Sequence, residues 1–407
     1  MQISLQDPLF QASIPVLNKI ESHGYEAYFV GGAIRDVLLE KTIGDIDIAT
    51  SAFPQEIQTI FPKHFDVGIE HGTIVVLYQG NSYEITTFRT ESTYSDYRRP
   101  DHVEFVRNLK LDTLRRDFTI NAMAVDAKGE LYDFHGGYQD LEDKLLRAVG
   151  LPLERFQEDA LRIMRGIRFA SQLGFQLEEQ TFEAMSQLAS NFSKISIERI
   201  RIELEKMMAG SYLSQTIPFF KNAKLEKSFP QANQFDYVQG LSYLSHQTRG
   251  HQGLSPLITW SLLLKGMEIN DEKTQRRLMK QWTLSNRLMD QVVAFLKLNH
   301  EIIQQTLTIE TIYDYDQVVI DHMYNYLEIT NQMATKNEME ELINNLPIRK
   351  RQELAVNGKQ IMQVLKMEKG GPVIGQLLDQ IEAKVIRKEL VNQTDAIINW
   401  LKNNKNS

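Results

Sequence analysis

The chain has 407 residues, 24 % of them charged and 42 % hydrophobic, with a formal net charge of −8 and no cysteine. That balance describes a folded chain of two to four domains rather than a disordered or fibrous one. The absence of thiols excludes disulfide staples, zinc–thiolate sites, iron–sulfur clusters and cysteine nucleophiles. The first twenty residues lack the basic and apolar regions of a signal peptide. The longest apolar stretch, at 257–264, is far short of the ~20 residues of a membrane span. A cytoplasmic protein without a membrane partner is therefore expected. Charge is uneven: residues 347–407 carry 11 Lys and Arg against 6 Asp and Glu, the remainder 34 against 47. A whole-chain sum hides such local basic surface, which is what contacts phosphates.

Residues 1 to about 145 read as mixed α and β. An amphipathic segment at 14–23 leads to a β-prone run at 25–30, broken by Gly31-Gly32 and followed by a helical stretch at 33–39. Ile46 and Ile48 alternate with Asp45 and Asp47, the period of a half-buried strand. Two further strands, 73–78 and 83–89, flank Gln79-Gly80-Asn81-Ser82, a hairpin signal. The polar stretch 90–100 reads as a mobile loop before a strand at 103–106. From about residue 146 helical periodicity dominates, most clearly at 155–173 and 197–208. Residues 211–346 carry helices without a motif, and 354–401 forms a last helical unit with turns at Asn357-Gly358 and Gly370-Gly371-Pro372.

Three clusters carry chemistry. In Gly44-Asp45-Ile46-Asp47 the carboxylates lie two apart, which on a strand points them to one face. Mg²⁺ suits such a pair because it binds through one or two carboxylates plus substrate phosphates. Gly31-Gly32 admits backbone N–H groups to a phosphate without Cβ obstruction, and Arg35 adds a guanidinium. Glu84, with neighbours facing the other way, is a candidate third carboxylate. The second cluster is Arg115-Arg116-Asp117, where Arg116 is placed to reach a phosphate or ribose and Asp117 to cap a following apolar helix. Asp133 with Gly136-Gly137 reads as a structural turn.

The third is the segment 158–168. Asp159 and Arg162 stand at i and i+3, with Arg165 and Arg168 extending the row, so one helix face would carry all four. An aspartate beside an arginine presents an acceptor next to donors. Cytosine and adenine each offer an amino donor beside a ring-nitrogen acceptor, whereas uracil and guanine invert that order. Mispairing buried polar groups costs more than losing a contact, so the pair should accept C and A and reject U and G. A solvated ion-pair ladder is the bland alternative.

The succession of Gly31-Gly32, Arg35-Asp36, Gly44-Asp45-Ile46-Asp47, residues 115–122, 133–137, 158–168 and 195–203 resembles the bacterial class II CCA-adding enzymes of the polymerase-β nucleotidyltransferase superfamily. The resemblance implies an α+β fold: a nucleotidyltransferase head with a small mixed sheet (1–145), then an all-α neck (146–210), body (211–346) and tail (347–407). It implies that Asp45 and Asp47 are catalytic and hold Mg²⁺. Gly32, Arg35, Arg116, Asp159, Arg162, Arg165 and Arg168 would bind ATP or CTP. The partners implied are tRNA, through its 3′ end, and the two nucleotides, with a homodimer left open. Residues 94–105 resemble the loop retained by members that add all three nucleotides. The expected reaction is untemplated, repeated transfer of CMP and AMP to the tRNA 3′-hydroxyl with release of pyrophosphate. A poly(A) polymerase, a partial CC- or A-adding enzyme and a catalytically silent RNA-binding module are the rivals. No G-x-x-x-x-G-K-[ST], G-x-G-x-x-G or His-Asp sequence occurs to suggest another chemistry.

Overall fold

The computed structural model describes residues 1–91, 103–367 and 369–404, in two compact units. The first holds residues 1–254 together with 281–283, the second 255–280 and 284–407.

The first unit is built on a seven-stranded mixed sheet. Its strands are β1 (Ala27–Val30), β2 (Asp47–Thr50), β3 (His64–Gly68), β4 (Thr73–Tyr78), β5 (Asn81–Thr87) and, from further along the chain, a short pair described below. Helix α1 (Pro8–Glu21) starts where Asp7 accepts the Leu9 N–H at 2.8 Å. Helices α2 (Gly32–Leu38) and α3 (Pro54–Ile60) follow β1 and β2. Alternation along β4 and β5 buries Ile74, Val76, Tyr83 and Ile85 with Phe29 and Ile48, and α1 and α3 cover this face. Phe10 of α1 meets Phe29 edge-on, ring centres 4.9 Å apart. The hairpin between β4 and β5 turns on Gln79 and Gly80, both with positive φ, so Asn81 and Ser82 belong to the strand.

A two-stranded ribbon, β6 (Arg89–Glu91) and β7 (Val103–Phe105), leads to α4 (Leu109–Leu114). Strands β8 (Ala124–Val125) and β9 (Leu131–Tyr132) complete the sheet, whose order is β3-β4-β5-β2-β1-β8-β9. Val30, Ala49, Phe88, Leu109 and Ala124 form a second cluster on its other face. Next come α5 (Gly137–Glu142), a small parallel pair β10 (Leu145–Leu146) and β11 (Gln176–Leu177), and helices α6 (Pro152–Glu158), α7 (Leu161–Leu173), α8 (Glu179–Leu188), α9 (Ile197–Met208), α10 (Leu213–Asn222) and α11 (Tyr237–Thr248). α7 packs on both α9 and α10. Trp282 belongs to this unit: it is fully buried, its ring centre is 4.8 Å from that of Phe229, and its indole N–H donates to the Tyr237 hydroxyl at 2.8 Å.

The second unit is helical throughout its described residues. α12 (Pro256–Gly266) is buried on nearly every side and packs on α14 (Asn286–Gln304), after α13 (Glu272–Gln281). α15 (Ile309–Tyr313), α16 (Gln317–Ile329) and α17 (Met333–Asn344) follow, then α18 (Gly358–Leu365), α19 (Pro372–Ile386) and α20 (Thr394–Asn403) around Ile361, Ile381, Val385 and Ile397. The α+β head followed by helices is as the sequence led us to expect.

Candidate active site

Sheet register assembles the acids. Antiparallel pairing sets Val30 opposite Asp47, and parallel pairing of β2 with β5 sets Asp47 beside Glu84. Asp45 comes just before β2 rather than on it, since the strand begins at Asp47. The Asp47 carboxyl is nonetheless held above its ordinary pKa, by desolvation first and then by the charges of Asp45 and Glu84, with Arg116 pulling against them. Three acids against one opposing guanidinium leave a surplus of negative charge that a divalent cation would relieve. The carboxylate pair therefore fits a hard, oxygen-preferring metal. Glu84 stands directly beside Asp47 in the register and its charge is felt there.

Gly31 leaves β1 at φ +77° and ψ −140°, a conformation that L side chains rarely adopt. A Cβ there would stand 3.4 Å from Asp47 Oδ2 and 3.7 Å from an Arg116 guanidinium nitrogen. The turn thus brings backbone, acid and arginine to one point. Arg35, one turn into α2, is nearly covered: it pairs with Asp36 and donates to Asn121 Oδ1 at 2.7 Å. Among the described residues Arg116 makes only long bonds, 3.3 Å to Asp112 Oδ2 and 3.4 Å to the Asn121 carbonyl, and its buried Nε has no hydrogen-bond partner. Such a lightly committed guanidinium has donors to spare for an anion. Burial would raise the pKa of Asp112, but Arg115 and Arg116 bring it below its ordinary value.

Asp117 does something other than cap a helix. Residues 119–121 form a single 3₁₀ turn, and the Asp117 carboxylate accepts two N–H groups from Arg165 at 2.8 and 2.6 Å, the Phe118 N–H at 2.8 Å and the Asn121 amide at 3.2 Å. Burial opposes ionisation, yet Arg165 and these bonds bring its pKa down to about 2. Asp133 is structural as read: it accepts the N–H groups of Gly137 and Tyr138, each at 2.9 Å.

The segment 158–168 differs from its sequence reading. Asp159 is not on a helix; it stands at φ −137° and ψ 102° in the break between α6 and α7, so the i, i+3 row begins only at Arg162. Nor do the Asp159 and Arg162 side chains pair, although the Arg162 backbone N–H donates to the Asp159 carbonyl at 3.0 Å. Asp159 accepts the Leu161 N–H at 3.0 Å and two guanidinium N–H groups of Arg199 on α9, at 2.8 and 3.4 Å. Arg162 donates to Glu158 at 2.6 Å, to the Arg155 carbonyl at 3.0 Å and to the Arg115 carbonyl at 2.8 Å. Arg168 Nε lies 2.6 Å from Glu203, and burial brings its pKa down to about 10. Arg199 and Glu203 lie in the 195–203 stretch, but nothing in their spacing said which arginines and acids they would meet.

The segment 115–117 is consequently gripped on two sides. Arg116 leans over Gly31 and Asp47, while Arg162 holds the Arg115 carbonyl and Arg165 holds Asp117. The acid pair and α7 are tied through three consecutive residues. Of the loop 94–105, residues 94–102 lie outside the described residues.

Residues 27–147 match the "Poly A polymerase head domain" family, residues 174–235 the "Probable RNA and SrmB-binding site of polymerase A" and residues 257–401 the "tRNA nucleotidyltransferase domain 2 putative". A CCA-adding enzyme of Streptococcus agalactiae is 40 % identical over 414 residues, 99 % of both chains, and one of Enterococcus faecalis is 41 % identical over 97 % of this chain and 96 % of its own. The chain belongs to the CCA-adding enzymes. It is a tRNA nucleotidyltransferase, and likeness over the full length favours this family over a poly(A) polymerase. The crystal structure of the Bacillus stearothermophilus CCA-adding enzyme in complex with CTP superposes with a TM-score of 0.84 at 33 % identity, covering 98 % of each chain. The Thermotoga maritima CCA-adding enzyme complexed with tRNA-CCA shares the fold, with a TM-score of 0.64 at 22 % identity. CCA-adding enzymes, as nucleotidyltransferases, use a divalent metal.

Proposed function

We propose that this enzyme builds the whole CCA end, transferring CMP twice and AMP once to the 3′-hydroxyl of tRNA, with Asp45 and Asp47 at the reacting centre. The observation that carries the reading is the grip on residues 115–117, which ties α7 to a carboxylate pair at a glycine turn. Asp45 and Asp47 would hold Mg²⁺, which suits carboxylates combined with phosphate oxygens. When bound, such a cation lowers the pKa of the attacking hydroxyl and stabilises charge on the reacting phosphate. The protein's share is positioning. The Gly31-Gly32 backbone and the guanidiniums of Arg35 and Arg116 seat the triphosphate, and Arg165 and Arg168 secure the nucleotide side of the site.

Asp159 and Arg162 read the base. Two bonds from Arg199 and one from Leu161 N–H leave the Asp159 carboxylate, with about four lone-pair sites, able to accept the amino group of cytosine or adenine. Uracil and guanine would set a carbonyl against it. The head, neck, body and tail division at 145, 210 and 346 accompanies this reading, with the basic 347–407 region on the RNA backbone. Among the described residues no helix is long and apolar enough to cross a membrane. We place the enzyme in the cytoplasm, where its substrate is.

The test is incorporation by purified protein on tRNA ending before, within and after CC. Asp45→Ala should abolish transfer and leave tRNA affinity intact. Asp159→Ala should admit UTP and GTP; continued exclusion of both would end the base-reading assignment. A product that stops at CC would select the partial activity.

A further inference from the structure

The row of paired positions that contains the acids continues to the open edge of the sheet. Asp47 pairs with Glu84, Glu84 with Val75 and Val75 with Phe65. Directly paired residues share a face, so these four side chains lie on the same side of the sheet. Strand β3 is outermost, and Phe65 is 58 % exposed, with Leu77 on the same face 40 % exposed. A phenyl ring this exposed at the end of the register row contributes little to the core and is open to a partner.

What lies on that row follows from the direction of the reaction. Gly31, Arg116 and Arg35 all stand on the β1 side of Asp47, where the triphosphate and departing pyrophosphate belong. In-line displacement puts the attacking oxygen opposite the leaving oxygen. The attacking hydroxyl must therefore come from the β5 side, and the strand that carries it must extend over β4 and β3. Three strand spacings of about 4.8 Å put Phe65 roughly 14 Å from Asp47, within reach of the nucleotides just behind the reacting end. Between Glu84 and the edge the row carries no acid to repel phosphates: Asp66 lies on the opposite face, bonded to Gln58 at 2.9 Å. An exposed aromatic ring is the surface on which an unpaired base stacks, whatever its identity.

We propose that Phe65, flanked by Val75 and Leu77, is a stacking platform for the single-stranded 3′ end of the tRNA. This rests on Asp45 and Asp47 being the reacting centre. A sequence-tolerant platform also suits a primer whose terminal bases change as it grows.

The test uses the full-length enzyme and an acceptor-stem minihelix carrying 2-aminopurine at its penultimate nucleotide. Binding should quench the fluorescence with the native enzyme and with Phe65→Tyr, and Phe65→Ala should lose the quenching. Phe65→Ala should also raise KM for the minihelix roughly 5- to 150-fold, the range expected for one stacked base, with KM for CTP unchanged. Retained quenching with an unchanged minihelix KM would overturn the proposal. So would an effect of Phe65→Ala confined to molar mass in light scattering, which would make the edge a contact between two copies. Turnover surviving in Asp45→Ala would instead overturn the reacting-centre reading, so the two failures are told apart.

Discussion

Arg199 offers the sharpest test of how the base is read. Its guanidinium gives Asp159 one good N–H bond at 2.8 Å and one long one at 3.4 Å, and both side chains are largely but not wholly covered. A charge-assisted hydrogen bond contributes about 1.5–3 kcal/mol, and the long bond and partial exposure argue for the lower end. Replacement by Met removes both bonds while keeping a long apolar stem. If about 1.5 kcal/mol of orientation is lost from the acceptor, the ratio of kcat/KM for CTP to that for UTP should fall about tenfold. Arg199→Lys, which keeps the charge and one donor, should restore most of it. Affinity for tRNA should not move in either variant. Single-nucleotide incorporation with CTP and UTP gives both ratios, and Asp159→Ala run in parallel sets the limit. Full discrimination in Arg199→Met beside lost discrimination in Asp159→Ala would show that Asp159 needs no such holder, and the reasoning would be refuted.

Two further outcomes follow from the same region. Asp117 is held at a pKa of about 2 against an ordinary value of 3.8, a difference on the order of 2 kcal/mol of stability at neutral pH. Because the folded value is the lower one, that stability is present above about pH 4 and lost as the pH falls towards 2. Asp117→Asn should lower the urea midpoint of the first unit at pH 7, and its gap from the parent should narrow through that window; an unchanged gap would contradict the pairing with Arg165. Gly137→Ala would drive a Cβ into the Thr119 carbonyl, a backbone atom that cannot swing aside. A loss of about 1–3 kcal/mol in thermal unfolding is expected there.

What could be read in advance depended on whether local chain chemistry decided the outcome. The glycine turn after β1 and the β4–β5 hairpin were legible because φ requirements and two-residue alternation act within a few residues, and the same alternation found β2 but began it two residues early, at Asp45. The break at Asp159 was not. No proline or glycine marks it, and residues 155–173 keep helical periodicity straight through. The extended backbone is accompanied by a carboxylate that caps Leu161 and bonds to Arg199, forty positions away. The same limit hid the partners of Arg162, Arg165 and Arg168: periodicity placed them on one helix, but only tertiary packing chose Glu158, Asp117 and Glu203 for them. The apolar run after Asp117 looked helical because its residues are buried, and burial alone does not distinguish a 3₁₀ turn from a helix.

The position of Trp282 constrains any attempt to dissect the gene. Although the first unit's main run ends at Leu254, a polypeptide stopped there would lack the indole that fills the space beside Phe229 and Tyr237, and the Tyr237 hydroxyl would lose its donor. An excised first unit would have to be repaired at that hole, by larger neighbouring side chains or a grafted tryptophan, before its weakness could be blamed on the loss of the second unit.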